Sequence, residues 1–399
     1  MIRLTRLRQL LFVMLVPLAV SACTTLKREP AVPQAQTTHA DPGFGNIRFL
    51  VTRETGPFAQ EAIASQQKEI AYLASQGHNG PLPPASYLAI SGGGDNGAFG
   101  AGLLNGWTAS GTRPTFKVVT GISTGALTAP FAFLGSGYDK QLEQVYTTIS
   151  QADILKKRGL IKGVFSDAMA DTTPLIGLVR RMVDRPLLDA IAAEYAKGRL
   201  LLVATTDLDT LEPVVWNMTA IAASTDPRAP ELFRHVLVAS ASIPGIFPPV
   251  MIDVSVDGTP HQEMHADGGT VAQVFFYPPS LRSAVGGQIQ HRQRTLYVIR
   301  NARLDPDWAE VQRRTLSVAM RALGSLTQTQ GIGDLYRIFA TTQRDGIDFN
   351  LAYIPKTFTH PHPEDFDKAY MQDLFATGRA MGQAGYPWQK FPPGYEGIP

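Results

Sequence analysis

The residue with the most obvious chemical potential is a serine that stands between two glycines. Ser123 lies in the stretch Gly121-Ile-Ser-Thr-Gly125, directly after the apolar run 116–120. A nucleophilic serine needs a tight turn between a strand and a helix, where side chains on its neighbours would clash. The pattern is therefore typical of a serine nucleophile presented at the end of a strand.

A run of three glycines upstream offers the second half of the same chemistry. Gly92, Gly93 and Gly94 follow another apolar run, 87–90. The negative charge that develops on an attacked carbonyl oxygen needs unobstructed backbone N–H donors, and a glycine run can supply them. The two features together indicate acyl transfer by serine.

The glycine run also allows a different interpretation. Gly92, Gly94 and Gly97 match the Gly-x-Gly-x-x-Gly fingerprint of dinucleotide-binding folds. That fingerprint expects an acidic residue about 20 positions later to bind a ribose hydroxyl. The chain has no Asp or Glu between Asn96 and Tyr138. The sequence therefore disfavours nucleotide binding.

Candidate strands and helices alternate along most of the chain. Strands are predicted at 87–91, 116–120, 200–206, 213–218, 250–254, 295–300 and 348–354. Helices are predicted at 57–75, 97–109, 123–134, 174–183, 187–196, 231–241, 310–342 (broken near Gly331 and Gly333) and 366–381. Such alternation predicts an α/β fold, with a mostly parallel central sheet covered by helices in a three-layer α/β/α arrangement.

Three motifs, in this order and spacing, resemble the patatin-like phospholipase family. They are the glycine loop that ends at Gly97, the turn around Ser123, and the triplet Asp267-Gly268-Gly269. Two softer segments, 206–214 and 239–249, agree with the same family. The resemblance covers nearly half of the chain, from about residue 87 to about residue 277.

The resemblance implies a patatin-like fold with a nucleophile elbow and a Ser–Asp dyad that has no histidine partner. Ser123 would be the nucleophile and Asp267 the base that accepts its proton. The amides of Gly93 and Gly94, with help from Gly92, would form the oxyanion hole. A carboxylate is a weak base for a hydroxyl group, so a partly apolar environment would have to raise its proton affinity.

One position departs from the family pattern. The family usually has an arginine before the last glycine of the loop, whereas this chain has Asn96, preceded by Asp95. The missing arginine weakens the case for recognition of a phospholipid head group. The sequence therefore favours a lipid or ester acyl hydrolase over a phospholipase in the strict sense.

Other polar residues allow alternative roles. Outside these motifs Asp267 would be an ordinary turn residue. Asp207 and Asp209 are predicted to shape a turn, and the alternative is that they support the residues of the active site from behind. A conventional triad would need a histidine, and we interpret His265 as a strand or loop histidine near the site. The other candidates after an acidic residue are His261, His291, His360 and His362. No pair of histidine and acidic residues has convincing metal spacing, and neither a metal nor a cofactor is expected.

The N-terminus has the features of an export signal. Arginines at positions 3, 6 and 8 precede the apolar stretch 10–20, and the small residues 21–22 precede Cys23, the only cysteine. The stretch Val-Ser-Ala-Cys resembles a bacterial lipobox, which implies cleavage before Cys23 and attachment of lipid to it; an ordinary secretory signal is the alternative. The residue after the cysteine is Thr24, whereas an aspartate there would favour retention at the inner membrane. By analogy with lipoprotein sorting, this predicts an anchor in the outer membrane, with the protein facing the periplasm.

These features predict the domain organisation. The segments are a signal peptide at 1–22, a flexible tether at 23–45, a helical extension at 46–86, a catalytic domain at 87–300, and a C-terminal helical region at 301–399 packed on the same domain.

The predicted function is a lipid-anchored serine hydrolase of lipids or amphipathic carboxylic esters in the bacterial cell envelope. The net charge of +2 gives no reason to expect a nucleic-acid partner. The alternative is a catalytically silent envelope lipoprotein that uses the same scaffold to bind lipid or a protein partner. Transfer of the acyl group to an alcohol instead of to water also stays open.

Overall fold

A computed structural model describes residues 26–157, 167–306 and 308–395 of the 399-residue chain. The predicted signal peptide and the predicted lipidation site at Cys23 lie outside these residues. Within the described ranges, no helix combines the length and the apolar character needed to cross a bilayer.

The described chain contains eleven strands and twelve α-helices. The strands are β1 (Arg48–Phe49), β2 (Ala85–Ile90), β3 (Phe116–Gly121), β4 (Lys156–Lys157), β5 (Ala170–Asp171), β6 (Leu200–Asp207), β7 (Glu212–Asn217), β8 (Val250–Val256), β9 (Thr259–Asp267), β10 (Arg294–Arg300) and β11 (Asp348–Tyr353). The helices are α1 (Gly56–Ser75), α2 (Gly97–Ala109), α3 (Thr124–Leu134), α4 (Asp139–Thr147), α5 (Gln151–Ile154), α6 (Thr173–Met182), α7 (Arg185–Ala196), α8 (Met218–Ala223), α9 (Ala229–Ser240), α10 (Leu281–Val285), α11 (Thr315–Asp345) and α12 (Lys368–Gln383).

Nine of the strands form one sheet. Its main path is β1-β7-β6-β3-β2-β10-β11, and the hairpin β8–β9 joins it through β6. The pairings β6–β3, β3–β2, β2–β10 and β10–β11 are all parallel, whereas β1, β7, β8 and β9 pair in antiparallel fashion. Parallel neighbours need helical crossovers, so the chain passes through helices between β2, β3 and β6.

Helices cover both faces of this sheet. Leu201 and Val203 of β6 pack with residues of α2, α3, α7, α9 and α12, whereas Leu200 and Leu202 pack on the other face with Phe58 of α1. Leu335, in the second half of α11, packs on that other face farther along the sheet. Alternate strand residues point to opposite faces, and both faces are apolar here. The predicted three-layer α/β/α architecture is confirmed.

The N-terminal segments differ from their predictions. The stretch expected to be a flexible tether contains a 3₁₀ helix, Gln34–His39, and exchanges backbone hydrogen bonds between Asp41 and Ser255 of β8. The backbone groups left free at the edge of the β8–β9 hairpin give this stretch hydrogen-bond partners that its composition could not reveal. The helical extension contributes a strand as well, because β1 pairs with β7.

Two further predictions are corrected. The helical region expected to break near Gly331 and Gly333 is one continuous helix, α11. At Gly331 a β-carbon would lie 2.0 Å from Arg300 Nη1, so glycine gives the arginine room to pack there and does not end the helix. Strand β9, which ends at Asp267, was not predicted, because its first half is polar and without a clear apolar pattern.

Candidate active site

The sheet brings Ser123 and Asp267 together through their common neighbour, β6. Strand β3 pairs with β6 up to Gly121 opposite Val203. Two residues farther along β6, the pairing partner is strand β9, with Asp267 opposite Thr205. Ser123 lies two residues beyond Gly121, so both side chains reach the same level of the sheet. Residues 144 positions apart in the chain therefore meet.

Ser123 occupies a strained turn between β3 and α3. Its backbone φ and ψ are 56° and −125°, a combination that L residues rarely adopt. A β-carbon at Gly125 would lie 2.3 Å from the carbonyl oxygen of Ile90, so only glycine allows the turn to close against β2. This is the geometry of a nucleophile elbow, as the sequence predicted.

The Ser123 hydroxyl donates a hydrogen bond to Asp267. The distance from Oγ to Oδ2 is 2.6 Å, and both residues are buried. The other carboxylate oxygen, Oδ1, accepts the Gly269 N–H at 2.6 Å. Burial raises the pKa of Asp267 to about 7, although the hydrogen bonds from Ser123 and Gly269 oppose the rise. A carboxylate with this pKa is a far better proton acceptor near neutral pH than an exposed one.

Two serines that the sequence marked only as part of a supporting segment hold this pair in place. The Ser123 N–H donates to Ser240 Oγ at 3.0 Å, and Ser240 Oγ donates to the Ala204 carbonyl at 2.7 Å. The Asp267 N–H donates to the Ser242 carbonyl at 2.8 Å. Because Ser240 and Ser242 lie in one short segment, that segment fixes the backbones of both Ser123 and Asp267.

The glycine loop lies against Ser123. The α-carbon of Gly92 faces the serine so closely that a β-carbon there would be 3.1 Å from Ser123 Cβ. Gly93 has a φ of 151°, and a β-carbon on it would lie 2.2 Å from the Asn301 carbonyl oxygen. Gly94 also has a positive φ, 58°. The backbone conformation and the close packing explain why this loop is built from glycine.

The amides of the loop are not equivalent. The Gly92 N–H donates to the Gln273 carbonyl at 2.9 Å, so it is engaged within the fold and its predicted help in the oxyanion hole is revised. Within the described chain, neither the Gly93 nor the Gly94 N–H has a hydrogen-bond partner. These two amides are the ones available to a ligand.

Asp95 and Asn96, between Gly94 and Gly97, contact the C-terminal segment. Asp95 Oδ2 accepts hydrogen bonds from the Phe366 N–H and from His362 Nε2, each at 2.7 Å. Asn96 Oδ1 accepts one from the Tyr370 hydroxyl at 2.5 Å. The Asp95 carboxylate raises the pKa of His362. The glycine loop is thus fixed by residues near α12, which sequence reasoning did not foresee because His362 looked like an ordinary loop residue.

Three of the remaining candidate histidines have other partners, and the fourth, His291, is exposed just before β10. His265 is fully buried in β9, with Nδ1 2.9 Å from Thr205 Oγ1 and Nε2 3.1 Å from Glu263 Oε2, while Arg48 pairs with Glu263. His261 contacts carbonyls of the N-terminal segment, and His360 pairs with Asp373. Across residues 26–157, 167–306 and 308–395, no histidine hydrogen-bonds to Ser123.

The acidic residues beside the site have structural roles. Asp207 accepts hydrogen bonds from the Asp209 N–H and the Thr210 hydroxyl, which confirms that it shapes a turn. Asp209 pairs with Arg28. In the part of the chain that the structure describes, no cluster of three or more His, Cys, Asp or Glu side chains could hold a metal ion.

In comparisons with known proteins, one family model matches part of the chain and two solved structures are distantly similar to it. Residues 88–278 match the family model described as patatin-like phospholipase. The crystal structure of VipD from Legionella pneumophila is similar with a TM-score of 0.38 and 12% identity, over 76% of this chain and 67% of that one. The type III effector protein ExoU has a TM-score of 0.23 and 16% identity, over 76% of this chain and 53% of that one. None of the curated proteins compared with the sequence matches it.

Proposed function

We propose that this protein is a serine acyl hydrolase of lipids or amphipathic carboxylic esters. The observation that supports it best is the 2.6 Å hydrogen bond from Ser123 to a buried Asp267 whose pKa is about 7. The match of residues 88–278 to patatin-like phospholipases supports the same class of activity. A nucleophile and a base at contact distance, beside two available amides, are the groups that acyl transfer requires.

In the proposed reaction, Ser123 Oγ attacks the carbonyl carbon of the ester while its proton moves to the Asp267 carboxylate. The carbonyl oxygen becomes an oxyanion that accepts hydrogen bonds from the Gly93 and Gly94 amides. The leaving alkoxide takes the proton from Asp267, and an acyl-enzyme on Ser123 remains. Water then attacks the acyl-enzyme by the same route. The N-terminus of α3, which begins after Ser123, adds a positive dipole end beside the oxyanion.

We also propose that the chain is a lipoprotein anchored through Cys23, at the outer membrane and facing the periplasm. The basic, apolar and small-residue order of residues 1–23 supports the lipid anchor, and Thr24 after it supports the outer membrane. Palmitate labelling of producing cells, compared between the wild type and Cys23→Ser, tests it. Loss of the label in the variant is expected, and equal labelling would contradict the proposal.

Covalent labelling tests the proposed nucleophile. A fluorophosphonate probe reacts with activated serines, so we expect one modified peptide, containing Ser123, and hydrolysis of p-nitrophenyl butyrate by the same preparation. Heat-unfolded protein is the control, because labelling of it would report chemical reactivity without a site. Absence of both labelling and hydrolysis in folded protein would instead support the catalytically silent alternative.

The pH dependence follows from the base. Asp267 accepts a proton only as a carboxylate, and its pKa is about 7. We therefore expect kcat/KM for p-nitrophenyl butyrate to fall about tenfold per pH unit below about pH 7 and to level off above it, measured from about pH 5 to about pH 9. Circular dichroism at each pH checks that the fold persists. A rate that is flat through pH 7 would count against Asp267 as the base.

A further inference from the structure

The exposed apolar side chains of this protein are concentrated in one segment. Among the described residues, six of the thirteen large apolar side chains that are exposed lie between positions 308 and 326. They are Trp308, Val311, Val318, Met320, Leu323 and Leu326. Single exposed apolar residues need no explanation, but such a concentration marks a surface that contacts something apolar. We call residues 308–327 the projecting segment.

The helical part of this segment stands away from the domain. Every residue from 318 to 327 is exposed, and the next buried residue along α11 is Gly331. These ten residues amount to about 15 Å of helix. The second half of α11, by contrast, packs on the sheet through Leu335 and Phe339. One continuous helix therefore has an anchored half and a projecting half.

The projecting segment is amphipathic and basic. Helical spacing places Ala319, Leu323 and Leu326 in one row of α11, whereas Arg321 lies on the other side of the helix. The segment contains three arginines, at positions 313, 314 and 321, and one acidic residue, Glu310. Trp308, 86% exposed, stands at the start of the segment. A wide apolar face, arginines and an exposed tryptophan are the features of a helix that lies in a membrane surface.

The anchored half of α11 also contacts the candidate active site. Gln330 Oε1 lies 3.2 Å from Gln273 Nε2, and Asp334 Oδ2 accepts the Gln273 N–H at 2.6 Å. Gln273 in turn accepts the Gly92 N–H and donates to the Gly269 carbonyl at 2.7 Å. The projecting segment thus leads directly to the residue that joins the glycine loop to the turn after Asp267.

We infer that the projecting segment docks on the surface of an anionic lipid bilayer and brings the site around Ser123 to lipid substrates. Arg313 and Arg314 complement anionic head groups, and the apolar row enters the boundary with the acyl chains. The inference rests on the proposed function for its substrate, but the docking itself requires no catalysis. An exposed apolar face could instead bind a second copy of the chain. The experiment below distinguishes docking on a bilayer from dimerisation.

The experiment uses the full chain with Cys23→Ser in every sample, so that no lipid can be attached at that position. Flotation with vesicles of equal parts phosphatidylglycerol and phosphatidylcholine measures binding. We expect the double variant Leu323→Ser/Leu326→Ser to bind at least about tenfold more weakly. Ile70→Ser, an exposed aliphatic residue on α1, is the matched control and is expected to bind as its parent does. Arg313→Gln/Arg314→Gln is expected to weaken binding to these vesicles and to remove its dependence on phosphatidylglycerol.

A comparison of hydrolysis of vesicle lipid with hydrolysis of a soluble ester distinguishes a defect in docking from a defect in catalysis. The Leu323→Ser/Leu326→Ser variant is expected to lose about tenfold in the release of fatty acid from vesicles, while turnover of soluble p-nitrophenyl butyrate and the melting temperature stay near the parent values. Ser123→Ala is expected to float with vesicles as the parent does. A parent protein that binds the vesicles but hydrolyses neither vesicle lipid nor p-nitrophenyl butyrate would remove the proposed function and leave the docking inference standing. Equal vesicle binding by the leucine variant and Ile70→Ser would overturn the inference. A concentration-dependent dimer that the leucine variant abolishes, without vesicle binding, would overturn it as well.

Discussion

Replacing Ser123 by alanine is expected to lower kcat/KM for p-nitrophenyl butyrate by roughly 10⁴-fold or more, the size of effect seen when a catalytic nucleophile is removed. The hydroxyl is the group that forms the covalent bond in the proposed reaction, and it stands 2.6 Å from its base. Without it, only direct attack by water remains, helped by whatever stabilisation the glycine amides give to the oxyanion.

The same substitution should leave the fold intact. Alanine keeps the β-carbon that the unusual backbone angles at position 123 already accommodate. The variant loses one buried hydrogen bond, so the free energy of unfolding should fall by only about 1 kcal/mol. Ser283→Ala, at an exposed position in α10, is the control and should change neither quantity. A Ser123→Ala rate within about tenfold of the wild type, at an unchanged melting temperature, would remove Ser123 as the nucleophile.

Asp267→Asn is expected to abolish activity and to stabilise the protein. Asparagine has nearly the shape of aspartate and can still accept the Gly269 N–H, but its amide cannot take the serine proton. We expect kcat/KM to fall by roughly 10³-fold or more, and the rise in rate through pH 7 to disappear. A variant that keeps the wild-type pH profile would show that another group is the base.

The stability effect follows from the raised pKa, and its sign depends on pH. The pKa of Asp267 rises from an ordinary 3.8 to about 7 on folding, so the folded protein holds this proton more tightly than the unfolded chain. As the pH rises from 3.8 to about 7, the burial of Asp267 progressively lowers the free energy of unfolding. Above about pH 7 the full loss of roughly 4 kcal/mol is present. Asp267→Asn removes this penalty.

Urea unfolding at two pH values measures the effect. The variant should be more stable than the wild type by a few kcal/mol at about pH 8 and equally stable below about pH 4. Asp253→Asn, at an exposed position in β8, is the control and should show no comparable difference. An Asp267→Asn variant that is no more stable than the wild type at about pH 8 would contradict the burial penalty that gives this carboxyl its proton affinity.

Several features could be predicted because they depend on neighbours in the chain. The turn at Ser123 needs very small residues two positions before and after the serine, and the sequence has glycine at both, Gly121 and Gly125. Strands β2, β3, β6 and β10 are short apolar runs bounded by turn residues, so their existence and their parallel arrangement were predictable. Helix α2 was predicted with the bounds that the structure has, 97–109.

Other features depend on contacts that local sequence does not encode. Strand β9 was missed because its place in the sheet comes from pairing with β6 and β8, not from its own apolar pattern. The link between Asp95 and His362 joins residues 267 positions apart, and neither belongs to a motif that predicts the other. The N-terminal stretch 28–41 has the composition of a linker and still has hydrogen-bond partners on the β8–β9 hairpin.

The sequence by itself determined which groups could do chemistry: a serine in a turn that only glycines allow, a glycine loop, and an aspartate before two glycines. Steric demands within a few residues are written into residue types, so they can be read without coordinates. Only the tertiary structure decided that β9 pairs with β6 just beyond the end of β3, which brings Asp267 to Ser123 and buries it. It also decided that the Gly92 amide is engaged and that half of α11 is exposed, because pairing and burial depend on the whole fold.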